Sequence, residues 1–262
     1  FTLDAVGNVQ PGGPSDDPVT IAAASGPARA YVDEGFDGLA GAKPDGAVWT
    51  DPDLTSTNLT AGSTLRLDGA GELRVTAKAA TDGVYGGVVL QYRDRITWTS
   101  AAARRALLLE MGGSGAANGS TSFYLVGPSG TETGDGLTWP TLFPYPDWIR
   151  FEHINGTFQI RRKTAGAIAT LYSGAAPSGL YEVWLLVDTI TLKVRVDGVD
   201  VLDLSPWVDE FSTPFDEAHL YLEVATDDNP AGWAARFGAF RFGRATPAEP
   251  LVVNVNGVPS AG

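Results

Sequence analysis

Imidazole chemistry in this chain of 262 residues rests on two histidines, His153 and His219. Each sits in a stretch that alternates apolar and polar residues as a β-strand does. A Ser–His–acid triad would have to use one of them. The nearest approach to a nucleophile elbow, Gly112-Gly113-Ser114-Gly115-Ala116, lacks the last glycine. There is no His-Glu-x-x-His and no Gly-x-x-x-x-Gly-Lys, so metal-dependent hydrolysis and phosphoryl transfer have no motif. Both histidines are therefore expected to be half-buried strand residues.

Hard oxygen ligands for calcium, the one cofactor the loops suggest, occur at Asp227-Asp228-Asn229 and at Asp51-Pro52-Asp53. Neither has the spacing of a known calcium loop, and solvated turns are the plainer expectation. Aromatic side chains are the richer signal, because flat rings stack on the C–H faces of sugars while amides and carboxylates hold the hydroxyls. Trp139, Tyr145 and Trp148 crowd a proline-rich loop over 136–148; Tyr92 and Trp98 flank Arg93, Asp94 and Arg95; Trp233 follows Asp227-Asp228-Asn229-Pro230. These six are the candidate glycan-binding residues. The competing expectation is that the same rings plug the ends of the fold. Trp49 and Trp184 read as core.

The composition limits what can position such groups. The 32 Gly and 17 Pro make up roughly a fifth of the chain, against about 12% in ordinary proteins, which disfavours long helices. With no cysteine, neither disulfides nor Cys-ligated metals contribute. The net charge of −13, with 14 Arg and only 4 Lys, argues against nucleic acid as a partner. It also argues against an electrostatic grip on anionic polymers, so a bound sugar should offer a neutral face to the rings. No apolar run is long enough for a membrane span, and the opening Phe1-Thr2-Leu3-Asp4 does not read as a signal peptide. The apolar fraction of 44% suffices for a core.

The elements are strands. Leu65–Leu67 turns at Asp68-Gly69-Ala70-Gly71 into 72–77, and 88–92 and 122–126 follow. In the stretch from Trp148 to His153, Ile149, Phe151 and His153 face one way, and Arg150 and Glu152 the other. Asn155-Gly156 predicts a type I′ hairpin returning through 157–161, and Asp197-Gly198 another between 192–196 and 199–202. Strands 181–187, 220–224 and 236–242 close the set. Thr99–Met111 reads as a short turn followed by a strand over 106–110. Residues 1–30 read as an extension or linker, 31–245 as one β-sandwich, and 246–262 as a C-terminal linker and strand. Many short strands between frequent turns predict an all-β antiparallel sandwich of two sheets, a jelly roll, with extended termini.

The segment Asp33-Glu34-Gly35-Phe36-Asp37-Gly38 with Trp49, the pair of strands ending in Val194-Arg195-Val196-Asp197-Gly198-Val199, and the closing Phe237-Gly238-Ala239-Phe240-Arg241-Phe242 together resemble concanavalin A-like jelly rolls of the laminin-G and glucanase type. The opening is also similar to modules of actinobacteriophage minor tail and tail-fibre proteins. The resemblance implies that the last strand pairs beside the first. Glucanases of this kind carry their carboxylates on one strand as Glu-x-Asp-x-x-Glu, and here no Glu has an Asp two positions on. A pair assembled from distant strands is the remaining route to catalysis. The resulting expectation is a non-catalytic, carbohydrate-binding adhesion module of a phage tail or fibre, in the virion or extracellular. Its partners would be host cell-surface glycans and other tail chains, and it would form a homo-oligomer, a trimer by analogy. The alternatives are a polysaccharide-degrading hydrolase of the same fold and a purely structural virion component.

Overall fold

Asn155-Gly156 and Asp197-Gly198 form the turns expected of them. Their φ values are +49° and +75° in the first pair and +47° and +79° in the second, the positive values of type I′ turns. A third turn is held by a side chain. Asp68 Oδ1 accepts from the backbone N–H of Ala70 at 2.7 Å and of Glu72 at 3.1 Å, and Oδ2 accepts from Arg74. These bonds, the one from Ala70 foremost, hold the Asp68 carboxyl below the usual carboxylate range.

The computed structural model describes residues 2–3, 9–10, 18–22, 32–50, 63–78, 86–93, 96–97, 105–115, 119–127, 147–164, 167–187, 191–204, 217–226 and 232–247. The strands are β1 (Thr2–Leu3), β2 (Val9–Gln10), β3 (Pro18–Ala22), β4 (Val32–Glu34), β5 (Trp49–Thr50), β6 (Thr64–Leu67), β7 (Leu73–Ala77), β8 (Gly86–Tyr92), β9 (Ile96–Thr97), β10 (Arg105–Gly115), β11 (Gly119–Val126), β12 (Trp148–Ile154), β13 (Thr157–Thr164), β14 (Ala167–Ala175), β15 (Tyr181–Val187), β16 (Leu192–Val196), β17 (Val199–Leu204), β18 (Glu217–Thr226) and β19 (Trp233–Pro247). No helix occurs among the described residues.

A nine-stranded sheet runs β17-β16-β15-β10-β19-β7-β6, with β3 and β4 also on β19. An eight-stranded sheet runs β14-β13-β12-β11-β18-β8-β5, with β9 also on β18, and β1 pairs with β2. The closing strand lies beside the opening one as the resemblance implied: Phe240 is opposite Glu34. Where β19 meets β10 the register slips by a residue near Glu110. There Glu110 Oε2 accepts the backbone N–H of Ala239 at 2.8 Å, so the bulge leaves that donor satisfied.

The two sheets close on one core. Phe123 and Phe151 stack at 4.3 Å, and Trp49 packs against Phe36, Tyr92 and Phe240 at 5.6–5.9 Å. Each such ring contributes about 1.5–3 kcal/mol by leaving water. In β7 and β16 burial alternates, so the nine-stranded sheet turns one side to solvent. Trp184, expected in the core, stands on that outer side, half-buried, with its indole N–H donated to Glu182 at 2.9 Å. Tyr181, Val183, Leu185 and Val187 already take the inward positions of β15. In β11 every residue is buried. The eight-stranded sheet is therefore covered on both faces at its centre, and its outer face holds the charged groups.

Candidate active site

Register places those groups in rows across the outer face. Ser122 of β11 lies opposite Glu152 of β12 on one side and opposite Glu223 of β18 on the other. In the next row Tyr124 lies between Arg150 and Tyr221, and Gln91 lies beyond Tyr221. In the third, Val126 lies between Trp148 and His219. The small hydroxymethyl of Ser122 leaves room for the long side chains on either side to converge above it.

They converge on Arg150. One of its terminal nitrogens, Nη2, lies 2.6 Å from Glu152 Oε1 and 3.1 Å from Glu223 Oε2. Those two oxygens are no farther apart than the two distances laid end to end. That ceiling lies below the about 6.5–9.5 Å of an inverting glycosidase pair. Arg150 also donates through Nε to Ser122 Oγ at 3.0 Å and through Nη2 to Ser120 Oγ at 3.2 Å. Its guanidinium lies 5.1 Å over the ring of Tyr124, a cation–π seat.

Tyr124 O–H donates to Glu223 Oε2 at 2.6 Å. Burial above all, reinforced by the negative charge and hydrogen bond of Glu223, pushes its phenol well above its ordinary value against the pull of Arg150. Tyr124 is thus a neutral donor that fixes one oxygen of Glu223. Glu152 has a second arginine beside it. Its Oε2 makes no hydrogen bond, and Arg161 Nη1 stands 3.7 Å away. Trp148 packs edge-on against Tyr124 at 5.6 Å, and its buried indole Nε1 has no hydrogen-bond partner. At the far end of the face, Gln91 Nε2 lies 3.4 Å from His219 Nδ1. Glu152 Oε2 and Trp148 Nε1 are thus two separate buried polar atoms of this face that make no hydrogen bond.

Of the six aromatic candidates, the structure brings Trp148 to this face. Trp98, Trp139 and Tyr145 lie outside the described residues, as do the calcium candidates Asp227, Asp228, Asn229 and Asp51-Pro52-Asp53. Among the described residues no group of three or more acidic or histidine side chains gathers to hold a metal ion. Tyr92 and Trp233 are corrected. Tyr92 ends β8 facing inward against Trp49 and Phe240. Trp233 opens β19 facing inward, donates Nε1–H to Thr121 Oγ1 at 2.9 Å, and leans on Gly113, Gly115 and Gly119. The turn residues before Trp233 made it look like a loop platform, but the strand begins at the ring itself.

The two histidines are buried strand residues on opposite faces. His153 faces the core, where Tyr181 O–H lies 3.2 Å from its Nδ1 and Trp233 meets its ring edge-on. Burial lowers its pKa. The residues that sequence reasoning missed are Tyr124, Arg150, Glu152 and Glu223. Alternation in 148–154 and 219–224 does put Arg150 and Glu152, and His219, Tyr221 and Glu223, on single faces. What it lacks is the strand between them.

No family model and no curated protein sequence matches the chain. Solved structures do. A glycosyl hydrolase family 16 protein from Mycobacterium smegmatis is 16% identical, with a TM-score of 0.56 over 80% of this chain and 98% of its own. The β-glucanase of Bacillus licheniformis is 13% identical, with a TM-score of 0.58 over 82% and 98%. A structure described with endo-acting O-glycanases of the human gut microbiota is 13% identical, with a TM-score of 0.59 over 82% and 99%.

The chain has the concanavalin A-like jelly-roll fold. The expectation of a non-catalytic phage-tail adhesion module is corrected: these three neighbours are described as a glycosyl hydrolase, a β-glucanase and O-glycanases. The sequence argument against an enzyme asked for both carboxylates on one strand. In this jelly roll two carboxylates meet from β12 and β18.

Proposed function

We propose that the chain is a glycoside hydrolase acting on a polysaccharide, with Glu152 and Glu223 as its acid pair. The observation that carries this reading is the meeting of the two carboxylates on one nitrogen above Ser122, in a jelly roll shared with glucanases. The short separation favours retention of configuration. Glu223, oriented by Tyr124, suits the nucleophile: its oxygen bonds to the anomeric carbon as the glycosidic C–O bond breaks. Glu152, the other carboxylate of the pair, takes the part of the acid that protonates the leaving oxygen and later takes a proton from the water that releases the sugar. For the sugar to enter, Arg150 must yield one carboxylate, and the Tyr124 ring over which it already lies helps to retain it. A polymeric substrate would place the site of action outside the cell.

The test is release of reducing ends from lichenan, laminarin and uronate-bearing polysaccharides, with E152Q and E223Q as variants. Each substitution should lower kcat by about 10²–10⁴, and a 2-fluoro-glycoside should label Glu223, read as an added sugar mass on its peptide. Undiminished turnover by E223Q, or no cleavage of any of these polymers by the unmodified chain, would overturn the reading.

A further inference from the structure

The outer face of the eight-stranded sheet does not meet water evenly. Side-chain exposure climbs from 0% at Glu223 and 2% at Glu152 to 11% at Arg150 and 33% at Arg161. The acid pair is therefore sealed on the β18 side and opens towards β13. The next strand outward is the edge strand β14, whose exposed Thr170 lies opposite Arg161. Among the described residues, Arg161 is the most exposed charged side chain beside the acid pair.

Arg161 is poorly satisfied where it stands. It lies directly opposite Arg150 across β12 and β13, and like charges so placed repel. Glu152 is shared between them, but its 3.7 Å to Arg161 is too long for a hydrogen bond. Arg161 Nε is buried and makes no hydrogen bond. Two residues on, Lys163 lies opposite Trp148 and adds a further cation to this part of the sheet. In a protein with a net charge of −13, the most exposed charged side chain of this cluster is thus a cation, Arg161. Local field, not net charge, decides what a cleft attracts.

We propose that Arg161 reads an anionic group, a carboxylate or a sulfate, on the polysaccharide, so that the substrate is a polyanionic glycan. The guanidinium fork fits two oxygens of such a group. That contact would be made by the exposed part of the guanidinium and would offset the repulsion from Arg150. The proposal deepens the hydrolase reading and rests on it for the site, but its test is binding, measured apart from cleavage.

The test uses the full chain carrying E223Q, titrated with polygalacturonate for carboxylate, dextran sulfate for sulfate, and lichenan as the neutral polymer. At least one polyanion should bind about tenfold or more tightly than lichenan, and added salt should weaken that binding. Adding R161Q should cost about tenfold for the polyanion, one charge-assisted bond's worth, and leave lichenan unchanged. R161K keeps the charge without the fork and should fall between the two. Circular dichroism confirms that the variants fold. Lichenan bound as tightly as both polyanions, polyanion binding unmoved by R161Q and R161K, or no binding of either polyanion would overturn the proposal. Cleavage by the unmodified chain judges the hydrolase reading separately.

Discussion

Glu152 and Glu223 lie on strands that do not pair with each other, and both hold the same nitrogen of Arg150 above Ser122. The guanidinium is therefore the group that makes two buried carboxylates tolerable. Breaking such a cluster by removing one sign of charge is costlier than removing all of it.

Replacing Arg150 by Met should accordingly cost about 3–5 kcal/mol, because two carboxylates are left buried without their cation. The triple variant R150M/E152Q/E223Q should recover most of that loss. Urea denaturation of the two proteins checks it. Equal stabilities would place the cost in the lost packing of Arg150 over Tyr124.

Alkaline stability depends on the buried phenols. Tyr124 and Tyr181 both have pKa values raised by burial, so the folded state favours the neutral ring. That stability is complete below about pH 10, the unfolded value, and is lost as pH rises above it. Y124F gives up the hydrogen bond to Glu223, at about 1–3 kcal/mol near neutrality. Above pH 10 its deficit should narrow. Melting curves at pH 8 and pH 11 measure both effects.

His153 acts at the other end of the scale. Its pKa is lowered by burial between Tyr181 and Trp233, so the unfolded chain binds its proton first. Stability from this group is complete above about pH 6.5 and falls as pH drops below it. H153Q should lose less stability than the unmodified chain between about pH 7 and pH 5. Parallel slopes in thermal melts would refute the assignment.

Gly119 makes room for Trp233. A Cβ there would overlap the indole ring of Trp233, so G119A should destabilise by about 1–3 kcal/mol through overpacking. Shrinking the ring with W233L in the G119A background should make the second substitution cheaper than it is alone. A double-mutant cycle from denaturation midpoints reads the coupling.

Strand positions were legible in the sequence where periodicity and turn chemistry coincided. Asn155-Gly156 and Asp197-Gly198 named their hairpins because few residues accept the positive φ they need. Alternation put Ile149, Phe151 and His153 on the core side and Arg150 and Glu152 on the other. Strand β14 was not foreseen: Ala167–Ala175 is an edge strand with no fully buried residue, and only Leu171 and Tyr172 pack on the core, too few to impose a pattern. Trp233 and Tyr92 were misjudged because an aromatic ring beside a turn looks alike whether it faces water or core.

The sequence by itself determined an antiparallel β-sandwich, since turn residues and side-chain alternation act over a few bonds. It also determined that the Glu-x-Asp-x-x-Glu run is missing. Only the tertiary structure decided that Glu152 and Glu223, 71 positions apart in the chain, share one guanidinium. The reason is register. Which strand lies between two others depends on long-range pairing, and that pairing is fixed by the burial of whole sheet faces.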